Sequence, residues 1–215
     1  MSETPKDLPE LSKLDAAWKS YGEKNFSDAI LLAQQYVNDS DLQHEANKLI
    51  ALSHFQLREF DRSTKFFLEL AKESNNPNDH FNLATSATLN KDLDIGKRAF
   101  DNAVEVYKKS GTAENLSIPN MAFYYLHALK DVGAFERAFE QLEFLGEIYK
   151  KLGITDTHFL YMRGVPFFED TVRVAKEILK NVPSAKAKVW VNKLMESVDE
   201  DGKNTLQQLE SDLNQ

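Results

Sequence analysis

Residues 47–70 read NKLIALSHFQLREFDRSTKFFLEL, and their spacing decides the fold. Apolar side chains recur every three or four residues, the period of an amphipathic helix. Within this stretch Phe60 is followed three residues later by the small Ser63. The same bulky-x-x-small pair returns as Phe26/Ala29, Leu93/Gly96, Phe135/Ala138 and Phe168/Thr171, at intervals of 34, 33, 42 and 33 residues. A recurrence near 34 residues marks an array of helix-turn-helix repeats. The small residue lets the second helix of a pair approach the first. The bulky residue covers the turn between them. Each pair buries only part of its apolar face, so neighbours complete the burial.

Working outward, the repeats occupy about 12–38, 44–73, 79–110, 117–151 and 156–181, together an array over 1–181. The second helix of each is expected just after the bulky residue. Ser27, Asp61 and Asp79 precede helical stretches and are read as caps for orphan backbone N–H groups. Glycine and proline are scarce, at eight and six, and strict apolar alternation is rare, which favours an all-helical chain. The interval of 42 is read as a longer second helix ending near Gly111, then a longer loop, with Pro119 in the first turn of the next helix. Residues 182–215 are read as a capping helix, from Ser184 to about Val198, followed by an acidic tail. In that tail Leu206, Leu209 and Leu213 fall at helical spacing.

Hydrophobic content of 42% and charged content of 28% describe an ordinary globular chain. No apolar run reaches the length of a membrane span. The start, MSETPKDLPE, lacks the apolar core of a secretory signal. Cysteine is absent, which excludes disulfides, thiolate metal sites and cysteine nucleophiles and fits a reducing, cytoplasmic setting. The net charge of −8 argues against nucleic acid as a general partner. Much of that charge lies in residues 196–215, where six acidic side chains face Lys203 alone, read as a solvated end.

The pattern resembles the tetratricopeptide repeat (TPR) family. Repeat two carries Asn47, Ile50-Ala51, His54, Phe60, Ser63, Phe67 and Leu70, and repeat three His80, Leu83-Ala84, Ala87, Leu93, Gly96, Phe100 and Ala103. Repeats one, four and five keep smaller parts of the motif. Proline between repeats is mostly missing, Leu126 and Phe159 stand where the family has a small residue, and Pro166 falls near the end of the first helix of repeat five. The resemblance implies a right-handed α-solenoid of about five repeats with a C-terminal capping helix, its concave groove lined by first helices.

Carried over position by position, the resemblance implies a peptide groove lined by Lys48, Leu52 and Phe55 of repeat two and Asn78, Phe81, Asn82 and Thr85 of repeat three. Repeat four contributes Asn120, Phe123, Tyr124 and His127, and repeat five Leu160 and Arg163. Lys48 and Asn82 match two positions of the family's carboxylate clamp, but Leu52, Asn120 and Tyr124 occupy the other three, so a basic clamp is not expected. An asparagine-and-aromatic surface across repeats two to four is expected to hold an extended or short helical segment.

No Walker loop, dinucleotide fingerprint, nucleophile elbow or helical zinc spacing occurs. His54, His80 and His158 fall on repeat core positions and are read as packing residues. The chain is therefore expected to be a non-enzymatic adaptor or scaffold without cofactor or metal. The other readings are a dedicated chaperone or immunity-type holder of one co-expressed protein, and a homo-oligomer built by docking the end cap into a neighbouring copy.

Overall fold

Phe26, Phe60, Leu93, Phe135 and Phe168 are each the first residue of a helix: α2 (Phe26–Ala33), α4 (Phe60–Ala71), α6 (Leu93–Ser110), α8 (Phe135–Leu152) and α10 (Phe168–Lys180). The partners preceding them are α1 (Asp15–Gly22), α3 (Gln43–Gln56), α5 (Pro77–Leu89), α7 (Ile118–Asp131) and α9 (Thr157–Met162). The chain ends in α11 (Ser184–Met195) and α12 (Glu200–Leu213). This is a computed structural model describing residues 14–72, 74–110 and 116–214. Among these residues the protein is all-helical, with no strand, and no helix is long and apolar enough to cross a membrane. Ser12 and Glu73, which bound expected repeats, and Gly111, near which the long second helix is expected to end, lie outside the described residues, as does the MSETPKDLPE start.

One turn recurs five times. Lys24, Arg58, Lys91, Gly133 and Gly164 all have positive φ, between 61° and 77°. At Lys91, its amide reaches Thr88 O and the next amide, of Asp92, reaches Ala87 O, at 2.9 and 2.8 Å. Equivalent bond pairs follow the other four residues. This is the Schellman ending, which satisfies the last carbonyls of a helix. In the first four turns the residue after the left-handed one is also the N-cap of the next helix. That corrects the capping roles of Ser27 and Asp61, which are the second residues of α2 and α4. Asp79 is likewise the third residue of α5, whose cap is Asn76, accepting from Asn78 N at 2.9 Å.

The small residues lie at the helix contacts, as their spacing predicts. Ala29, Ser63, Ala138 and Thr171 are fully buried and Gly96 is buried. A Cβ on Gly96 would lie 2.2 Å from Thr88 Oγ1 and 3.1 Å from Ala84 O, so α6 reaches α5 only because that position is bare.

The described residues fall into two compact units, within 1–74 and 75–215. In the first, α1 packs on α2 and α3 on α4. Leu14, Ala17, Ala33, Ala46, Leu49 and Ile50 form its core, with Trp18, Tyr21, Ile30 and Phe66 packed against them. In the second, α5 pairs with α6 and α7 with α8, and Phe100 stacks flat on Tyr125 at 4.5 Å. The long second helix expected before the insertion is α6, of 18 residues, but α8 is equally long. Repeat five departs most: α9 has six residues and forms no packed pair with α10 like those of the other repeats.

The expected acidic tail is built into the second unit. α12 lies against α10 and α11, with Leu206 and Leu209 buried. Asp199 caps it, accepting from Gly202 N at 3.1 Å, from Thr155 N at 2.8 Å and from Thr155 Oγ1 at 2.5 Å. Burial pushes that carboxyl up, but these hydrogen bonds outweigh it and hold it below its ordinary value. Asp212 pairs with Lys176 at 2.8 Å. This end therefore folds back onto the unit, while Glu200 and Asp201 stay exposed.

Candidate functional site, an aromatic cleft beside α7

The geometry of repeat five follows from two extra residues. In the other repeats the left-handed residue stands two positions before the bulky one, whereas Gly164 stands four before Phe168. Val165 and Pro166 fill the gap and are buried, while Phe167 remains partly exposed. The segment is held from two sides. The Ser117 hydroxyl, which also caps α7, donates to Gly164 O. The Tyr149 hydroxyl, buried on α8, donates to Pro166 O at 2.8 Å and lies 2.8 Å from Thr171 Oγ1. Burial raises the Tyr149 phenol well above its ordinary value, so it stays protonated and able to donate.

A cleft of about 500 Å³ opens between α7 and this segment. Asn120, Phe123 and Tyr124 form the α7 wall, and Tyr161, Val165, Pro166, Phe167 and Asp170 the other. Tyr124 is 53% exposed, Tyr161 70% and Phe167 39%. Three exposed rings thus gather around one cleft, which makes it the candidate site. Phe123 is held edge-on to Tyr124 at 5.8 Å and to His127 at 4.7 Å. His127 is half-buried, and burial holds its imidazole below its ordinary value, leaving it neutral at pH 7.

Of the residues picked from the sequence, Asn120, Phe123 and Tyr124 line this cleft and His127 supports it. On α5, Phe81 is buried, at 8% exposure, and so belongs to the core rather than to a groove. The Thr85 hydroxyl is spent on its own helix, donating to Phe81 O and Asn82 O at 3.2 and 3.1 Å. Asn78 and Asn82 are half-buried on the same helix and do not line the cleft. Lys48, Leu52 and Phe55 are half-buried on α3 in the first unit, with Phe55 edge-on to Phe60 at 5.5 Å. Arg163 is exposed and lies over the Phe159 ring at 5.3 Å, and Leu160 is fully buried. His54 and His80 are buried, His54 bonded to Glu59 at 2.6 Å, but His158 is exposed and is not a packing residue. Sequence reasoning missed Tyr161, Phe167 and Asp170. The available signals were Pro166 and the Phe167-Phe168 doublet, which break the repeat register.

No protein-family model and no curated protein matches this chain. Among solved structures it is similar to a protein from Bacteroides ovatus ATCC 8483 described as a candidate protein-binding protein, at 15% identity and a TM-score of 0.37, covering 94% of this chain and 98% of that one. A likeness at this level carries no argument about what this chain binds.

Proposed function

We propose that this chain is a non-enzymatic protein-interaction module of the TPR type, and that the cleft beside α7 holds a peptide segment of a protein partner. The observation that carries this reading is the convergence of Tyr124, Tyr161 and Phe167, all solvent-exposed, on one open cleft with fixed walls. Buried aromatic anchors dominate the energetics of most protein interfaces. The Asn120 amide beside them offers both a donor and an acceptor to a peptide backbone. The wall is pre-organised by the Ser117 and Tyr149 hydrogen bonds, which lowers the ordering cost of binding. On this reading the binding surface lies in repeats four and five, whereas the sequence pointed to repeats two to four.

Affinity capture from soluble lysate tests it, with the intact protein beside a Tyr124→Ala/Tyr161→Ala version and mass spectrometry as the readout. The reading expects a partner held by the first and lost by the second. A partner held equally by both would move the site elsewhere.

A further inference from the structure

We propose that the segment held by this cleft presents a cationic side chain, arginine foremost, between the aromatic walls and Asp170. The inference rests on the peptide-binding reading above and names the chemistry of the partner.

The walls decide it. Among the described residues, Phe123, Tyr124, Tyr161 and Phe167 line the cleft together with one carboxylate, Asp170, and no lysine, arginine or histidine lines it. An aromatic face carries negative potential and attracts a cation that comes within about 6 Å of the ring centre. A cleft built only for an aliphatic anchor needs neither the rings nor the carboxylate. Here an amide, a carboxylate and four rings surround a space open to solvent.

The nearby native cations are held elsewhere or are easily exchanged. Arg163 lies over Phe159 at 5.3 Å and is not among the lining residues. Lys130 bridges Asp131 and Glu177 at 2.7 and 3.2 Å. Arg173 pairs with Asp170 at 3.0 Å, but its side chain is 75% exposed, and such surface pairs contribute little. A partner's cation can therefore take its place on Asp170. The net charge of −8 favours the approach of a basic segment. Arginine suits the site better than lysine because its planar guanidinium stacks on rings and bonds a carboxylate through two N–H groups.

The test uses the full chain and a synthetic library of capped heptapeptides. The central position is Arg, Lys, citrulline or Leu, and the flanking positions are drawn from Ser, Gly, Phe and Tyr. Citrulline keeps the shape of arginine and removes its charge. Dissociation constants are measured by fluorescence titration for the native chain, Asp170→Asn, and Tyr124→Ala/Tyr161→Ala. Expected is tighter binding of Arg than of citrulline peptides by about fivefold or more, an advantage reduced by Asp170→Asn, and loss of binding in the tyrosine variant. Thermal unfolding confirms that the variants remain folded, both tyrosines being exposed. If Arg and citrulline peptides bind equally and the tyrosine variant still loses both, the cation inference fails and the peptide-binding reading stands. If the tyrosine variant binds as well as the native chain, both fail. If no heptapeptide binds the native chain, the cation inference is overturned.

Discussion

The pair α5/α6 and the pair α9/α10 share one signature and use it differently. In α5/α6 the small position is Gly96, and its bareness lets two long helices touch along their length. In α9/α10 the small position is Thr171, and its hydroxyl serves the connection instead, lying 2.8 Å from the Tyr149 hydroxyl and donating to Phe167 O at 3.2 Å. The first pair invests the slot in helix packing. The second gives up most of its first helix, gains Val165 and Pro166, and places Tyr161 and Phe167 in solvent. Helix pairs that pack mainly on their immediate neighbours can vary one member at small cost. The member that breaks the local pattern is the one that forms the candidate site, as expected where function competes with regularity.

The largest effect should come from filling the α5/α6 contact. Gly96→Ala forces a methyl group against Thr88 Oγ1 and Ala84 O, and is expected to cost about 2 kcal/mol in chemical denaturation. Adding Thr88→Ala should recover part of that loss, because the nearest obstructing atom is then gone. Strictly additive losses would show that the close approach is not what Gly96 provides.

The corresponding change in the other pair should be milder. Thr171→Val and Tyr149→Phe each remove a partner from the hydroxyl cluster and should cost about 1 kcal/mol. Their combination should cost less than the sum, since both act on the same bond. Either variant should also weaken partner binding through the loosened Pro166 segment, whereas Gly96→Ala with Thr88→Ala should leave binding intact.

The turns offer a finer contrast. Lys91 holds φ 70° at a cost that glycine avoids, so Lys91→Gly should stabilise the chain by about 1 kcal/mol. Gly164, at φ 63°, should lose about 1 kcal/mol when replaced by alanine. Thermal unfolding of the two variants should therefore shift in opposite directions.

The smallest effect concerns pH. Burial holds His127 below its ordinary value of 6.5, against the opposing pull of Asp131 and Asp170 and alongside the repulsion of Lys130. The folded state therefore binds this proton less readily than the unfolded chain. Above about pH 6.5 the group has no effect on stability, and below it stability is lost as the unfolded state takes up the proton first. His127→Gln should lose less stability than the native chain between pH 7 and pH 5. An unchanged slope would contradict this.

The starts of all five second helices were legible because the bulky-small pair marks a physical event, the closing of a turn onto a helix contact. The caps were not, because Ser27 and Asp61 look like capping residues while the Schellman turn already supplies the N-cap from its own last residue. Asn120, Phe123 and Tyr124 were legible because α7 keeps the regular length and phase. Tyr161, Phe167 and Asp170 were not, because two inserted residues shift them out of the register that identified the others. The leucine spacing of residues 206–213 announced the last helix, but only packing against α10 and α11 turns an acidic end into part of the core.

Hydrogen exchange of the full chain, measured with and without the captured partner, tests the central claim most directly. The account predicts that protection on binding concentrates in α7 and in residues 161–170, and that Tyr124→Ala/Tyr161→Ala abolishes it. Protection confined to other segments, with those two unchanged, would contradict it.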